Sequence, residues 1–465
     1  MNFNSMQYAF FFIIVCAVYY IIPKKSRYIW LLAASYFFYM QWNAVYAVLI
    51  LGVTAITDAA GFASDKWRDK GKLILALTVM ANLFLMGYFK YTNFILETVS
   101  NISGGDFEAL DIILPVGISF YILQALGYVI DVYRGTVEAE HNPLRYALFV
   151  SFFPQLVAGP IERSGNLMHQ LKEPKPLTSQ ALLQGIIMIF YGLWTKVLIA
   201  DGVAIIVNEI FNKYEEYYGL EIIFATVLFA IQIYCDFYGY TIIAIGSAKI
   251  LGVDLMQNFQ SPYMAKNVTD FWKRWHISLT SWFRDYLYIP LGGNRKGLRR
   301  TIINTLIVFT ISGLWHGAAW HFVLWGLLNG LFVAIERLLP KKWHSRILTF
   351  ILIDITWFFF RVQNISDIVE MFNNEFFKLR FVNLFDFTKL NAHGPVASAI
   401  TMLVAIVIMF VVDYLREKKG DLSLIFAGLP GIVQWLIVAF LVFTMFYYGP
   451  YGEDYASSAF LYFQF

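Results

Sequence analysis

The chain has 465 residues, of which 59% are hydrophobic and only 14% are charged. A soluble domain carries about 25% charged residues, so this composition excludes a soluble globular protein and predicts a chain that crosses a membrane several times. The formal net charge of +3 gives no sign of a nucleic-acid partner. Both cysteines, Cys16 and Cys235, lie in apolar runs, so we interpret them as buried hydrophobic residues rather than as a disulfide or a metal site.

The predicted elements are apolar runs that are long enough, or nearly long enough, to cross a bilayer. They begin near Met6, Tyr28, Val45, Leu73, Asp111, Leu182, Leu220, Thr301, Trp320, Ile347, Val396 and Ile432. Several are shorter than the roughly 20 residues of a crossing helix, so we predict about 11 to 13 transmembrane, re-entrant and interfacial helices. Lys24 and Lys25 follow the first run, whereas a cleavable signal carries its positive charges before the run, so the first span is predicted to be retained.

The loops between these runs alternate in charge. Basic loops lie near residues 24–27, 66–72, 134–145, 163–175, 249–300, 341–346 and 416–419, and the loops between them are neutral or acidic. The positive-inside rule places the basic loops in the cytoplasm, which predicts an outside location for the N-terminus and for the C-terminal tail, residues 449–465. We treat residues 1–465 as a single integral membrane domain.

Residues 144–164 are apolar, but Pro154, Gly159 and Pro160 interrupt them and basic loops flank both ends. Irregular backbone at membrane depth is tolerated only against protein or a water-filled cavity. We therefore predict a broken or re-entrant segment.

Residues 265–300 form a basic segment that is too charged to span and too aromatic to be merely solvated. Helical spacing places its aromatic residues on one face and its charged residues on the other, which predicts an amphipathic helix lying along the cytoplasmic interface. Thr269 or Asp270 is the predicted cap, and Pro290 ends the helix. His276 falls at the edge of the apolar face and is expected to point into the protein. It is either a buried, hydrogen-bonded functional residue or a histidine whose polar end reaches the edge of an amphipathic helix.

A glycine pair, Gly292–Gly293, precedes Asn294, Arg295 and Lys296. Such a turn can form a backbone nest for the phosphates of a cytoplasmic donor such as coenzyme A. It can equally be an ordinary cytoplasmic loop whose basic residues follow the positive-inside rule.

His316 and His321 lie in the apolar stretch "ISGLWHGAAWHFVLWG". Ionisable groups at membrane depth are costly and mark functional sites. His316, beside Trp315 and between Gly313 and Gly317, is either a general base or an interhelical hydrogen-bonding histidine. His321 is five residues away, and no carboxylate or cysteine lies close by, so we predict a structural neighbour and no metal site.

Asp236 lies within the predicted span that contains "QIYCDFYGY". A buried carboxylate needs a partner, which we expect to be an arginine or a histidine. Asp236 therefore either orients a catalytic histidine or forms a structural ion pair.

Several stretches together resemble the membrane-bound O-acyltransferase (MBOAT) family, in its bacterial subgroup that O-acetylates alginate or peptidoglycan. They are "ILPVGISFYILQALGYVIDVYRG" (113–135), "SFFPQLVAGPIER" (151–163), "YCDFYGY" (234–240), "NFQSPYMAKNVTDFWKRWHISLTSWFRDYLYIPLGGNRKG" (258–297) and "SGLWHGAAWHFVLWGLLNG" (312–330). The resemblance implies a ring of helices around a central tunnel, with His316 and His276 as the family histidines. Thr241 and Ile242 stand where many members have Ser-Asp.

The resemblance implies an enzyme of the bacterial inner membrane without a permanently bound cofactor. Acetyl-CoA would donate an acetyl group to an extracytoplasmic polysaccharide hydroxyl, directly or through an exported SGNH-type acetyltransferase partner. His316 would be a base or an acyl carrier, and His276 would position the donor. D-alanyl transfer to teichoic acid, a proton-coupled transporter within the lipid bilayer and a non-catalytic platform that docks a partner through residues 449–465 are the alternatives.

Overall fold

A computed structural model of the chain describes residues 1–157, 159–217, 219–340, 344–371 and 396–450. These residues form helices and no strand. The helices are α1 Met6–Ile21, α2 Arg27–Met40, α3 Tyr46–Lys66, α4 Gly71–Ser103, α5 Ile118–Arg134, α6 Pro143–Ser151, α7 Phe153–Leu156, α8 Ser164–Lys172, α9 Ser179–Trp194, α10 Gly202–Asn212, α11 Gly219–Ile250, α12 Val268–Arg274, α13 Ile277–Phe283, α14 Gly297–His316, α15 Trp320–Leu338, α16 Arg346–Arg361, α17 Ile365–Glu370, α18 Val396–Lys419, α19 Leu422–Ala427 and α20 Gly431–Tyr448.

Every apolar run predicted from the sequence corresponds to one of these helices, so the prediction of an all-α polytopic membrane protein is confirmed. Six stretches of the described residues are long and apolar enough to cross a membrane: Tyr46–Lys66, Arg68–Ser103, Ser179–Asn212, Gly219–Ile250, Trp320–Leu338 and Gly431–Tyr448. Many of their apolar side chains are exposed, as expected for helices that face lipid.

The described residues divide into two compact units. The first contains residues 1–186 and 244–257, and the second contains residues 187–243 and 258–465. The single integral domain predicted from the sequence stays a prediction. The predicted tail, residues 449–465, lies almost entirely outside the described residues.

In the first unit, residues 146–157 are buried, and the helix breaks between α6 and α7 at Phe152. The break removes the helical partner of the Phe149 carbonyl, and this oxygen instead accepts hydrogen bonds from Gln124 Nε2 at 2.6 Å and Gln155 Nε2 at 2.9 Å. The freed N–H of Phe153 donates to Ser35 Oγ at 3.1 Å. Side chains thus satisfy these two backbone groups at the break, which is the condition for irregular backbone at membrane depth.

In the second unit, α14 and α15 form an antiparallel hairpin whose short turn follows His316. Glycines allow a close approach of the two helices. A Cβ atom on Gly313 would lie 2.2 Å from the Phe322 carbonyl oxygen, and one on Gly326 would lie 2.3 Å from the Phe309 carbonyl oxygen. Small residues at such positions are the usual basis of helix packing in membranes. The hairpin fixes the position of His316.

Candidate active site

His276 lies at a break between α12 and α13, not within a continuous helix. Its φ angle is +45°, in the left-handed region that residues other than glycine rarely adopt. The prediction of one helix capped by Thr269 or Asp270 is therefore wrong. Asn267 is the cap, since its Oδ1 accepts a hydrogen bond from the N–H of Asp270 at 2.7 Å.

The helix breaks because backbone groups on both sides of His276 form hydrogen bonds with the segment around Asn258 instead of with each other. The N–H of Ile277 donates to the Asn258 carbonyl at 2.9 Å, and the N–H of Gln260 donates to the Arg274 carbonyl at 3.0 Å. These pairs lie far apart in sequence, so helical periodicity could not reveal them.

The aromatic side chains of the segment that carries His276 pack against α14, α15 and α16. The ring of Trp272 contacts Phe309, in the middle of α14, at 5.4 Å between centroids, and Trp325 of α15 at 5.6 Å. Trp275 contacts Trp357 of α16 at 4.9 Å. These contacts bury the aromatic face of α12 and the start of α13, and the location of residues 265–300 along the cytoplasmic interface stays a prediction. His276 is only 1% exposed.

The hydrogen bonds around Asn258 fix the protonation pattern of His276. Asn258 Oδ1 accepts from the N–H of Ser278 at 3.2 Å and from Ser278 Oγ at 2.8 Å, so this atom of the amide is the acceptor. The same oxygen lies 3.1 Å from His276 Nδ1. Nδ1 must therefore carry a proton, and in a neutral imidazole Nε2 then carries the lone pair that can accept one.

His316 is the last residue of α14 and is 4% exposed. Its ring is surrounded by the aromatic rings of Trp315 and Trp325, each 5.0 Å away, and Phe360 at 5.8 Å. The ring of His276 lies 6.4 Å from it between centroids. The structure thus brings together the two histidines that the sequence singles out, at a distance at which one reacting group can contact both rings.

Trp315 lies against both histidines, 5.0 Å from His316 and 6.1 Å from His276. His321 is also buried, and its Nδ1 lies 3.2 Å from the Phe359 carbonyl oxygen. Since a carbonyl oxygen can only accept, His321 Nδ1 donates a hydrogen bond to it, and this bond connects α15 to α16. Gly317 also has a packing role, because a Cβ there would lie 2.0 Å from the Phe322 ring.

Asp236 forms a buried ion pair with a residue that the sequence did not single out. Its Oδ1 lies 2.5 Å from Nζ of Lys196, and Asp201 Oδ1 lies 2.6 Å from the same nitrogen. Lys196 is in a π-helical turn, residues 195–201, of the kind that often occurs at functional sites. The predicted partner, an arginine or a histidine, is therefore wrong, and the partner is a lysine. A lone cation in a long apolar run indicates such a buried pair. Phe237, the next residue, contacts the ring of His276 at 4.7 Å.

Asn294, Arg295 and Lys296 lie exposed at the turn before α14. The N–H groups of Gly292, Gly293 and Arg295 already donate to backbone carbonyls, so these three amides do not form the predicted phosphate nest. A helix of 20 residues separates this turn from His316, which is about 30 Å along its axis.

The described residues contain no group of three or more His, Cys, Asp or Glu side chains arranged to hold a metal ion. The buried site instead consists of two imidazoles, an amide and aromatic rings. Such an arrangement is suited to proton transfer and to reactions that must exclude water.

Comparison with known proteins identifies the family. The family described as MBOAT, membrane-bound O-acyltransferase, matches residues 138–343. A probable alginate O-acetylase AlgI of Pseudomonas putida is 36% identical over an alignment 395 residues long, which covers 81% of this chain and 80% of the relative. The chain belongs to the membrane-bound O-acyltransferase family. The protein is therefore an O-acyltransferase of a membrane, and the resemblance seen in the sequence is confirmed.

Other relatives show where in the family this O-acyltransferase lies. The peptidoglycan O-acetyltransferase of Helicobacter pylori is 35% identical over 74% of this chain and 72% of its own length. The teichoic acid D-alanyltransferase of Bacillus subtilis is 27% identical over 50% of this chain and 60% of its own length. The similarity to the O-acetylating relatives is both higher and more extensive.

Proposed function

We propose that this O-acyltransferase transfers an acetyl group from cytoplasmic acetyl-CoA to a hydroxyl group of an extracytoplasmic polymer, either an alginate-like exopolysaccharide or peptidoglycan. The names of the relatives that match about three quarters to four fifths of the chain support acetyl as the acyl group. The D-alanyltransferase relatives match only about half of it, so D-alanyl transfer is the weaker candidate. The transfer is direct or passes through an exported SGNH-type acetyltransferase.

The observation that carries this proposal is the buried pair of His276 and His316, 6.4 Å apart between ring centroids. In the proposed reaction the acceptor hydroxyl oxygen attacks the thioester carbonyl carbon, and His316 accepts the hydroxyl proton. The C–S bond then breaks, and the thiolate leaves with that proton as free coenzyme A. General base catalysis of this kind contributes about 10²- to 10⁴-fold to a rate.

His276 is proposed to position the thioester of the acetyl donor, while His316 acts on the acceptor hydroxyl. Its Nδ1 proton is held by Asn258, so Nε2 is the nitrogen that faces other partners. The Nδ2 atom of Asn258 is buried and has no acceptor among the described residues. A buried amide donor beside the reacting histidine is suited to hold a carbonyl oxygen as negative charge develops on it.

His316 can also act as a transient acyl carrier, with the acetyl group bound to an imidazole nitrogen before the hydroxyl attacks. The two routes differ in one observable. A carrier retains labelled acetyl on the protein when acceptor is withheld and the reaction is quenched, whereas a base does not.

The donor phosphates are proposed to bind Asn294, Arg295 and Lys296 through exposed side chains. The distance of about 30 Å along α14 requires the donor to extend along most of the helix to present its carbonyl to His316. Neutralising Arg295 and Lys296 should then raise the KM for acetyl-CoA and leave kcat unchanged.

The proposed orientation places the basic loops, including residues 294–300, on the cytoplasmic side of a bacterial inner membrane, with both termini outside. The charge alternation supports it through the positive-inside rule. The test is labelling of single cysteines, introduced at Asn2 and Arg299, with a reagent that does not cross the membrane. Only the Asn2 position should react in intact cells.

The activity itself is tested with purified protein, radiolabelled acetyl-CoA and an acceptor polysaccharide. Wild-type protein should release coenzyme A and label the acceptor or the partner transferase. Protein that hydrolyses no thioester and labels nothing in the presence of either would contradict the proposal.

A further inference from the structure

A second candidate site lies in the first unit, which contains neither His276 nor His316. A pocket of about 210 Å³ is lined by five cationic side chains from three separate parts of the chain, together with aromatic and aliphatic residues. The cations are Lys24, Lys25, Arg27, Arg145 and Lys172. All three parts belong to the loops that the positive-inside rule places in the cytoplasm.

The positive charge of this pocket is largely uncompensated. Arg145 pairs with Glu140 at 3.1 Å, but among the described residues no acidic side chain pairs with Lys24, Lys25 or Lys172. The nearby carboxylate of Asp254 is already bound to Lys175 at 2.6 Å and Lys249 at 2.9 Å. Burial raises the pKa of Asp254, but hydrogen bonds from these two lysines outweigh burial and hold the pKa below its usual range.

The two arginines of the pocket are positioned by the protein but keep unused donors. Arg27 lies over the ring of Tyr19, 4.7 Å from its centroid, and Arg145 lies 5.8 Å from the centroid of Tyr28. The Nε atoms of both arginines are buried and donate to no acceptor among the described residues. Buried polar groups are normally hydrogen-bonded, so the protein leaves part of the hydrogen-bonding capacity of these two guanidinium groups unsatisfied.

We propose that the pocket binds the phosphodiester headgroup of an anionic phospholipid from the cytoplasmic leaflet. Arginine and lysine together are the usual phosphate ligands, and basic pockets between transmembrane helices on the cytoplasmic side bind anionic headgroups. The pocket is smaller than the roughly 300 to 1,000 Å³ of sites that enclose a drug-sized ligand, which favours a headgroup over a whole nucleotide. Ile21 and Ile29, next to the basic residues in sequence, are 82% and 47% exposed and offer a surface for the acyl chains.

The test is native mass spectrometry of the purified protein in detergent, titrated with phosphatidylglycerol or with phosphatidylcholine. Wild-type protein should retain phosphatidylglycerol preferentially. A Lys25→Gln/Arg27→Gln variant should bind it about 25-fold more weakly, at about fivefold for each charge removed. A Lys418→Gln/Lys419→Gln variant loses two exposed charges at the end of α18 and serves as the matched control, with near wild-type binding.

Equal weakening in both variants, or equal retention of the two lipids, would overturn the proposal. Displacement of phosphatidylglycerol by equimolar coenzyme A or inorganic phosphate would also overturn it, because the pocket would then be a site for soluble phosphates. If Arg27→Gln prevents folding, a Lys24→Gln/Lys25→Gln variant takes its place, since both lysines are exposed. Lipid binding is measured without turnover, so its failure is distinct from failure of the proposed acetyl transfer.

Discussion

His276 Nδ1 lies 3.1 Å from Asn258 Oδ1, and the same oxygen accepts two hydrogen bonds from Ser278. The amide therefore determines which nitrogen of the histidine carries the proton. It also holds the ring at a break in the helix, where the backbone of His276 adopts a strained conformation. Backbone strain of this kind persists only where surrounding contacts enforce it. Here the strained residue, His276, lies beside His316.

The first prediction concerns Asn258. An Asn258→Ala variant loses both the acceptor for His276 Nδ1 and the unused Nδ2 donor, so we expect kcat for acetyl transfer to fall about 10²- to 10³-fold. An Asn258→Asp variant keeps an acceptor and should recover part of the loss. The KM for acetyl-CoA should change little in both. A fall confined to KM, with kcat unchanged, would mean that Asn258 contributes only to donor binding.

The second prediction concerns the buried ion pairs of Lys196. Lys196→Met removes the cation that pairs with the buried carboxylate of Asp236 and the part-buried carboxylate of Asp201, and breaking a buried pair in this way costs about 3 to 5 kcal/mol of stability. Thermal unfolding in detergent measures this loss. Lys213→Met is the control, since Lys213 pairs with Glu209 at the surface and its loss should leave the unfolding temperature unchanged. Equal unfolding temperatures for the two variants would show that the ion pair of Lys196 contributes no more to stability than the surface pair of Lys213.

The third prediction concerns the contact between α14 and α15. Gly313→Ala places a methyl group against the Phe322 carbonyl and the Cα atom of Gly326, so we expect a loss of about 1 to 3 kcal/mol and a fall in activity as His316 moves. Gly87→Ala, within α4, meets no atom within 4 Å and is the matched control. It should be neutral or stabilising by about 0.5 to 1 kcal/mol. Full activity in Gly313→Ala would show that the close packing does not position His316.

The fourth prediction separates His321 from His316. His321→Ala removes the part-buried hydrogen bond to the Phe359 carbonyl, so it should cost about 1 kcal/mol of stability. Acetyl transfer per folded molecule should stay close to wild type. A loss of activity as large as that of His316→Ala, in protein that remains folded, would give His321 a direct part in the reaction.

Local sequence patterns were sufficient to predict the longer apolar helices and to single out the two histidines that the structure brings together. Each of the twelve apolar runs lies in a helix of the described residues, because an apolar segment in a bilayer must satisfy its backbone hydrogen bonds internally. Periodicity failed at residues 268–283, where it gave a continuous helix. Asn258, which lies 18 residues before His276, supplies the hydrogen bonds that break that helix, and no local pattern shows a contact over such a distance.

Lys196 and Asn258 are the two residues that sequence reasoning missed. Lys196 was visible as an ionisable residue inside an apolar run, but its partners lie five and 40 residues further along the chain. Asn258 lies in the stretch that resembles the family, yet an isolated asparagine carries no chemical signature of its own. Both are buried polar residues whose partners only the folded chain brings into contact.

The most direct test of the central claim is single-turnover transfer from radiolabelled acetyl-CoA, comparing wild-type protein with His316→Ala at equal amounts of folded protein. We expect the rate for His316→Ala to fall at least about 10²-fold, while an unchanged unfolding temperature shows that the fold persists. Transfer by His316→Ala at the wild-type rate would contradict the assignment of His316 to the reaction.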